Sequence, residues 1–239
     1  MNVIPIASSS NGNAYVVEHD GASLLIDCGV PFKQVRAYGF SAVLLTHNHD
    51  DHVKGLKPLL GKRDVPVFAN AMTAEATARQ VGIDEEAFVC FENGQDFEIG
   101  PFAVHPFSVP HDTPDPVGYL IRVGGETYFH GTDIGTPLDS IGLQLAAADV
   151  ATLESNHDRV MLWNSARPVS LKQRIAGPRG HLANDEAADL VRRFASPRLR
   201  KLYLAHLSHE CDAPHLALAA MREALVAAGR TEIDVEVVG

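Results

Sequence analysis

Residues 47 to 52 read His47-Asn48-His49-Asp50-Asp51-His52, directly after the apolar run Ala42-Val43-Leu44-Leu45. Imidazole nitrogen and carboxylate oxygen are the ligand types that zinc, manganese and iron share. A strand that stops at His47 lets His47 and His49 point the same way, because side chains repeat every two residues. If the chain then turns into a helix, Asp51 and His52 are carried to a second point a few ångströms off. One short segment could therefore serve two metal ions. A histidine-rich surface loop is the plain alternative.

A metal centre needs more ligands than this segment supplies, and three further residues share one placement. His111 follows Val109-Pro110, Asp133 follows Tyr128-Phe129-His130-Gly131-Thr132, and His206 follows Leu202-Tyr203-Leu204-Ala205. Each is a ligand type just past an apolar strand, where loops carry function. A carboxylate at Asp133 could bridge two cations. Asp27, also at a strand end, could brace a ligand histidine.

The elements that must position these residues are short. Strands are expected at Val3 to Ala7, Ala14 to Glu18, Leu24 to Asp27, Ala42 to Leu45 and Val65 to Ala69. A short helix is expected at Val53 to Leu60, and a longer one capped by Asn70 and running through Gln80. Strands return from Phe97 through Val109, across Val117 to Val123 and at Glu126 to His130. A helix at Leu138 to Ala147 and a strand at Val150 to Leu153 follow, then helices near Leu171 to Ala176 and Asp185 to Phe194. The pattern closes with a strand at Lys201 to Ala205, a helix at Pro214 to Ala228 and a strand at Ile233 to Val238. Strand-rich stretches broken by helices in both halves imply two sheets packed face to face with helices outside, in the α/β class. No linker or repeat interrupts residues 1–239, so a single domain is expected.

Composition agrees with a globular enzyme, at 46% hydrophobic and 21% charged residues. Cys28, Cys90 and Cys211 are scattered, which fits reduced thiols and not a disulfide framework or zinc knuckle. No leader and no membrane-spanning run is legible, so a cytoplasmic protein without a membrane partner is expected. The formal net charge of −10 argues against a protein that coats nucleic acid, although a metal centre adds local positive charge that the count ignores. Basic residues gather at Arg167, Lys172, Arg174 and Arg179 and again from Arg192 to Lys201. A solvated helix face explains them more simply than a phosphate-binding patch.

Thr46-His47-Asn48-His49-Asp50-Asp51-His52 matches the His-x-His-x-Asp-His signature of the metallo-β-lactamase superfamily, and the later His, Asp and His fall in that superfamily's order. More narrowly, the chain resembles the YycJ/WalJ-type, exonuclease-like branch. The strings that carry this include Ser8-Ser9-Ser10-Asn11-Gly12-Asn13, Thr132-Asp133-Ile134-Gly135, Glu154-Ser155-Asn156-His157-Asp158, Gly180-His181-Leu182-Ala183-Asn184 and Ala205-His206-Leu207-Ser208. They span nearly the whole chain. After Ser208 the branch leads one to expect asparagines, where this chain has His209-Glu210-Cys211-Asp212.

The resemblance implies a four-layer αββα sandwich with a dinuclear site on one edge. His47, His49 and His111 would hold one ion, and Asp51, His52 and His206 the other, with Asp133 bridging. It also implies that Glu154 and His181 fill the places of an acidic residue and a later histidine found in nucleases of the superfamily. Two divalent cations are implied, with zinc first and manganese or iron also suited to the His/Asp set. The expected activity is a dinuclear metal-dependent hydrolase, a phosphodiesterase or DNA exonuclease using metal-activated hydroxide. Its catalytic set is His181, Glu154 and Asp51, with His181 the proton donor and Glu154 holding its tautomer. His157 is an alternative donor, and Asn13, Asn156, His157 and Asn184 are candidate substrate contacts. Nucleic acid is the expected substrate and not a stable partner; oligomeric state stays open. Hydrolysis of a thioester, lactone, lactam or small phosphodiester on the same fold is the first alternative, and a non-catalytic metal-binding protein the second.

Overall fold

The computed structural model describes Met1–Gly239. Its residues fall into two compact units, Met1–Ser108 with Thr113–Gly125, and Val109–Asp112 with Glu126–Gly239.

The first unit carries a six-stranded sheet in chain order: β1 (Asn2–Ser9), β2 (Gly12–His19), β3 (Ala22–Ile26), β4 (Val43–Leu44), β5 (Val67–Asn70) and β6 (Phe88–Phe91). β1 to β3 form antiparallel hairpins, and β3 to β6 run parallel. Pro5 lies in β1, the edge strand, beside a register shift between Pro5 and Ala7. An edge is where a residue without an N–H is tolerated. Parallel neighbours need crossovers, supplied by α1 (Phe32–Val35), then α2 (Asp50–Val53) with α3 (Leu56–Leu60), and then α4 (Ala71–Val81). α4 starts as its sequence dictates: the Asn70 side chain accepts from Thr73 N at 2.9 Å, and Gly82 closes the helix in the left-handed region.

The helix expected at Val53 to Leu60 is two short ones. It divides at Gly55, whose N–H donates to the Cys28 carbonyl at 2.8 Å and where a Cβ would lie 2.0 Å from the Val30 carbonyl oxygen and 2.7 Å from that of Cys28. The strand expected from Phe97 through Val109 is a hairpin, β7 (Phe97–Ile99) and β8 (Phe102–Ser108), turned at Gly100-Pro101 and continued antiparallel by β9 (Val117–Val123). α1 and β6 were not anticipated; β6 is short, and two of its four residues are exposed.

In the second unit β10 (Glu126–Gly131), β11 (Val150–Glu154), β12 (Lys201–Ala205) and β13 (Asp234–Val237) run parallel in that order. β11 is buried at every position, as a strand covered on both faces should be. Helices α5 (Asp139–Leu145), α6 (Arg159–Asn164), α7 (Val169–Ile175), α8 (Asn184–Phe194) and α9 (Pro214–Ala227) make the crossovers. α6, which was not anticipated, is capped by the Asp158 side chain accepting from Met161 N at 2.8 Å.

Candidate metal centre

In open parallel sheets, ligands gather beyond the carboxyl ends of strands, and both units follow this rule. In the first, β3 leads to Asp27 and β4 leads through Leu45-Thr46 to His47. In the second, β10 leads to Asp133, β11 ends on Glu154 and β12 leads to His206. Asp27, Asp133 and His206 have φ of +57°, +58° and +59°. That left-handed turn costs a non-glycine residue roughly 1–2 kcal/mol.

Within the first unit His47 and His52 are 1% and 0% exposed. Their ring centroids lie 4.1 Å apart, and the His49 ring stands 4.9 Å from that of His47. Each buried ring is oriented from behind. Asp27 Oδ2 is 2.7 Å from His52 Nδ1, and Thr46 Oγ1 is 3.0 Å from His47 Nδ1. Asp27 in turn accepts from Thr46 N and Oγ1, both at 2.9 Å. A carboxylate on Nδ1–H fixes the tautomer that leaves Nε2 with its lone pair, which is the arrangement of a metal-ligating histidine. Asn13 Nδ2 donates to Asp51 Oδ2 at 3.0 Å and to Ser9 O at 3.1 Å. The Asn13 amide thus steadies the Asp51 carboxylate.

Within the second unit Asp133, Glu154, His181 and His206 each offer a donor atom, all within 4.8 Å of one another. His111 Nε2 is 3.5 Å from Asp133 Oδ1, and its Nδ1–H donates to Gly180 O at 2.9 Å. Burial holds the His111 imidazole below its ordinary pKa against the pull of Asp133, so the ring is neutral, the state that binds metal. His206 Nδ1 lies 3.2 Å from Glu154 Oε1. The donor set therefore fits divalent metal: imidazoles held by their Nδ1 side, with carboxylates beside them.

Glu154 is fully buried and fully satisfied. Oε2 accepts from Ile134 N at 2.8 Å and Leu182 N at 3.1 Å, and Oε1 lies 2.7 Å from His181 Nδ1. Burial alone would raise this carboxyl; the charge on His181 and hydrogen bonds from His181 and His206 outweigh it and bring it down to about 2. His181 keeps 19% of its side chain exposed. His157 is 1% exposed and neither ring nitrogen has a hydrogen-bond partner. Burial pushes its pKa to about 4, which leaves it neutral and a poor proton donor near pH 7.

The remaining substrate candidates are committed to the protein. Asn156 Nδ2 donates to His206 O at 2.8 Å. Asn184 accepts from Ser155 Oγ at 2.6 Å and donates to Asp212 Oδ1 at 2.9 Å. Thr46 and Asp212, which the sequence did not single out, complete these networks through contacts over long sequence separations. The basic residues of the later chain are likewise engaged: Arg167 with Glu210, Arg174 with Asp112, Arg198 with Asp149 and Lys201 with Asp234 and Glu236. Lys172 Nζ caps the Trp163 and Ser165 carbonyls. The stretch is not one solvated helix face, since Lys172 is buried and Lys201 lies in β12.

Residues 23–207 match the family model described as a beta-lactamase superfamily domain, and the chain belongs to that family. An exodeoxyribonuclease YycJ of Bacillus anthracis is 33% identical over 230 residues, 92% of this chain and 87% of the relative. An exodeoxyribonuclease WalJ of Streptococcus pneumoniae is 31% identical over 224 residues, 89% of this chain and 83% of the relative. Among solved structures, the metallo-β-lactamase-fold protein YhfI of Bacillus subtilis superposes with a TM-score of 0.73 at 21% identity, covering 99% of this chain and 95% of the other. Zinc-bound PqqB of Methylobacterium extorquens gives 0.72 at 17% identity, covering 100% and 98%. The expected fold is borne out, and the chain is a metal-dependent hydrolase of the metallo-β-lactamase fold.

Proposed function

We propose that residues 1–239 act as a single domain in which the two half-sets form one dinuclear centre. His47, His49 and His111 would hold one cation and Asp51, His52 and His206 the other, with Asp133 a ligand available to both. Zinc suits the imidazole-rich set, and manganese or iron the mixed His/Asp set. When bound, two such cations acidify water and neutralise the non-bridging oxygens of a phosphodiester. The substrate on this reading is DNA, cut from an end. Two relatives named exodeoxyribonucleases, aligned over about nine tenths of the chain, support it.

The observation that carries the reading is the Glu154–His181 pair. A buried carboxylate 2.7 Å from Nδ1 holds the ring in one orientation. In that orientation His181 delivers the Nε2 proton to the leaving oxygen of the phosphodiester, a step that typically contributes about 10²–10⁴ in rate. His157, buried and neutral, is not that donor. With a net charge of −10, the chain engages nucleic acid at the centre and not along a basic face. No helix is long and apolar enough to cross a membrane, and we place the protein in the cytoplasm.

The test is to incubate metal-replete protein with end-labelled single- and double-stranded DNA and RNA, beside bis(p-nitrophenyl) phosphate, a thioester and a β-lactam. Shortening of DNA from one end is expected. Turnover of the thioester or lactam with every nucleic acid left intact would overturn the proposal.

A further inference from the structure

The chain holds 30 acidic residues, and none falls between Arg159 and His181. That stretch carries Arg159, Arg167, Lys172, Arg174 and Arg179 and ends on the proposed proton donor. It folds as α6, α7 and the loop that follows them. Leu162 of α6 packs with Ile175 of α7 and with Cys211. Lys172 Nζ ties the two helices together at the Trp163 and Ser165 carbonyls, 2.8 and 2.6 Å away. The pair is therefore braced from within, while its outer side is apolar: Val160, Trp163 and Val169 are 68%, 49% and 62% exposed. Val160 and Trp163, three residues apart, share one side of α6, and Trp163 is the chain's single tryptophan.

Two of the cations gather at the other end of α7, against the loop that carries His111. Arg179 Nε donates to His111 O at 2.8 Å, the Gly180 carbonyl accepts from His111 Nδ1 at 2.9 Å, and the His181 ring lies 5.2 Å from the His111 ring. Three successive residues thus grip one ligand candidate. Arg174 Nε donates to Asp112 Oδ2, on the next residue, and the Arg174 side chain is still 55% exposed. An exposed pair of this kind contributes little, so the guanidinium is free to meet a second anion. Arg179 is exposed and bonds only to the backbone. Both arginines are held through Nε, which leaves the two-nitrogen fork that matches a phosphate.

Chemistry narrows the occupant. An exposed aromatic ring beside cations is how proteins hold a single strand without reading its sequence, phosphates on the cations and a base stacked on the ring. On a membrane-binding helix the cations flank the apolar side. Here Arg159, beside Val160, is neutralised by both Asp185 and Glu186, whereas the free forks lie next to the proton donor. The seven residues of α7 span roughly 10 Å, the run of about three nucleotides at ~3.4 Å each. We propose that α6 and α7 form a single-strand platform that extends the centre: Arg174 and Arg179 hold phosphates beside the scissile one, and Trp163 stacks on a base about three nucleotides into the body of the strand. The proposal rests on the phosphodiesterase reading above.

The test uses the metal-replete full chain carrying His181→Ala, so that the strand survives, and a labelled single-stranded DNA of about twelve nucleotides. Tryptophan emission, which reports Trp163 alone, is expected to fall saturably as the strand is added. Strands with one abasic residue, moved inward from each end, should bind on the order of tenfold more weakly at one position near the third nucleotide, read by anisotropy. Trp163→Ala should bind intact and abasic strands alike, and Trp163→Phe should restore the difference. Uncharged methylphosphonate linkages beside the scissile one should weaken binding, and less so in Arg179→Gln, with metal content confirmed by plasma mass spectrometry. An equal loss in that variant would overturn the phosphate contact. Strand binding that leaves emission unchanged, a flat abasic profile, or emission that responds to phosphatidylglycerol vesicles and not to DNA would overturn the platform. Bis(p-nitrophenyl) phosphate, given to the chain with His181 intact, separates the two failures: its hydrolysis with no change in emission on adding DNA sinks the platform alone. No hydrolysis of it or of any strand sinks the phosphodiesterase reading and the platform together.

Discussion

His181 and Glu154 divide one task by environment: the carboxylate is buried and saturated with donors, whereas the imidazole keeps a side toward solvent. Replacing His181 by Ala should lower kcat by about 10²–10⁴ while metal content, read by plasma mass spectrometry, stays at the wild-type level. Loss of metal in that variant would make His181 a ligand, a role its place among Asp133, Glu154 and His206 permits chemically. Asp212 gives a second test at this scale. Burial raises its carboxyl from an ordinary value of about 3.9 to about 6. Between those pH values the folded chain therefore holds a proton that the unfolded chain has released, and stability falls as pH rises through this window. Asp212→Asn removes that loss. Its thermal midpoint should exceed the wild type's by on the order of 2–4 °C at pH 7.5, and the advantage should vanish by pH 4. An equal shift at both pH values would show that the carboxyl does not titrate in that window.

At the scale of elements, the ligands are delivered by strands that end and turn sharply, and the turns are held by close backbone contact. Gly29 shows how close. A Cβ there would lie 1.6 Å from the Asp51 carbonyl oxygen and 2.8 Å from Asn13 N. The loop after β3 is thus pressed against the first turn of α2, and Gly29 N donates to Asn13 O at 2.9 Å. Gly29→Ala has no flexible neighbour to displace. It should destabilise the chain by about 1–3 kcal/mol in urea unfolding and lower its metal content by shifting Asp51 and His52. Wild-type stability and metal content in that variant would refute the idea that this contact positions α2.

For the whole molecule, the charge distribution separates local binding from surface binding. Several basic residues of the second unit lie in ion pairs, such as Arg159 with Asp185 and Arg193 with Asp139, and with a net charge of −10 metal is the expected source of concentrated positive charge. Removing divalent ions with EDTA should abolish hydrolysis and lower the thermal midpoint. Adding back zinc or manganese should restore both, the midpoint climbing with the logarithm of metal concentration above Kd. Activity that persists in protein with no detectable metal would refute metal dependence. In EDTA the chain should also form no stable complex with DNA in a gel-shift assay at physiological salt.

Legibility in the sequence followed the range of the interactions. The segment His47 to His52 was readable because its ligand spacing is local: a strand end and one helical turn decide where the side chains go. Asn70 as a helix cap was readable for the same reason. The Asp158 cap of α6 was a local signal too, but the helix it starts has only six residues. Strand-end placement marked His111, Asp133 and His206 as ligand types, and resemblance to the family assigned them. What composition and periodicity could not supply were contacts between distant residues. The helix divides at Gly55 because the Gly55 N–H donates to the distant Cys28 carbonyl at 2.8 Å. Asn184 is bonded to Ser155 and Asp212, and burial brings His157 down to about 4. The sequence by itself determined the ligand types and the hydrolase family, because these reside in residue identity and short spacing. The tertiary structure decided protonation, tautomer and which polar side chains remain available, because those depend on burial and on partners that only folding brings within hydrogen-bond distance.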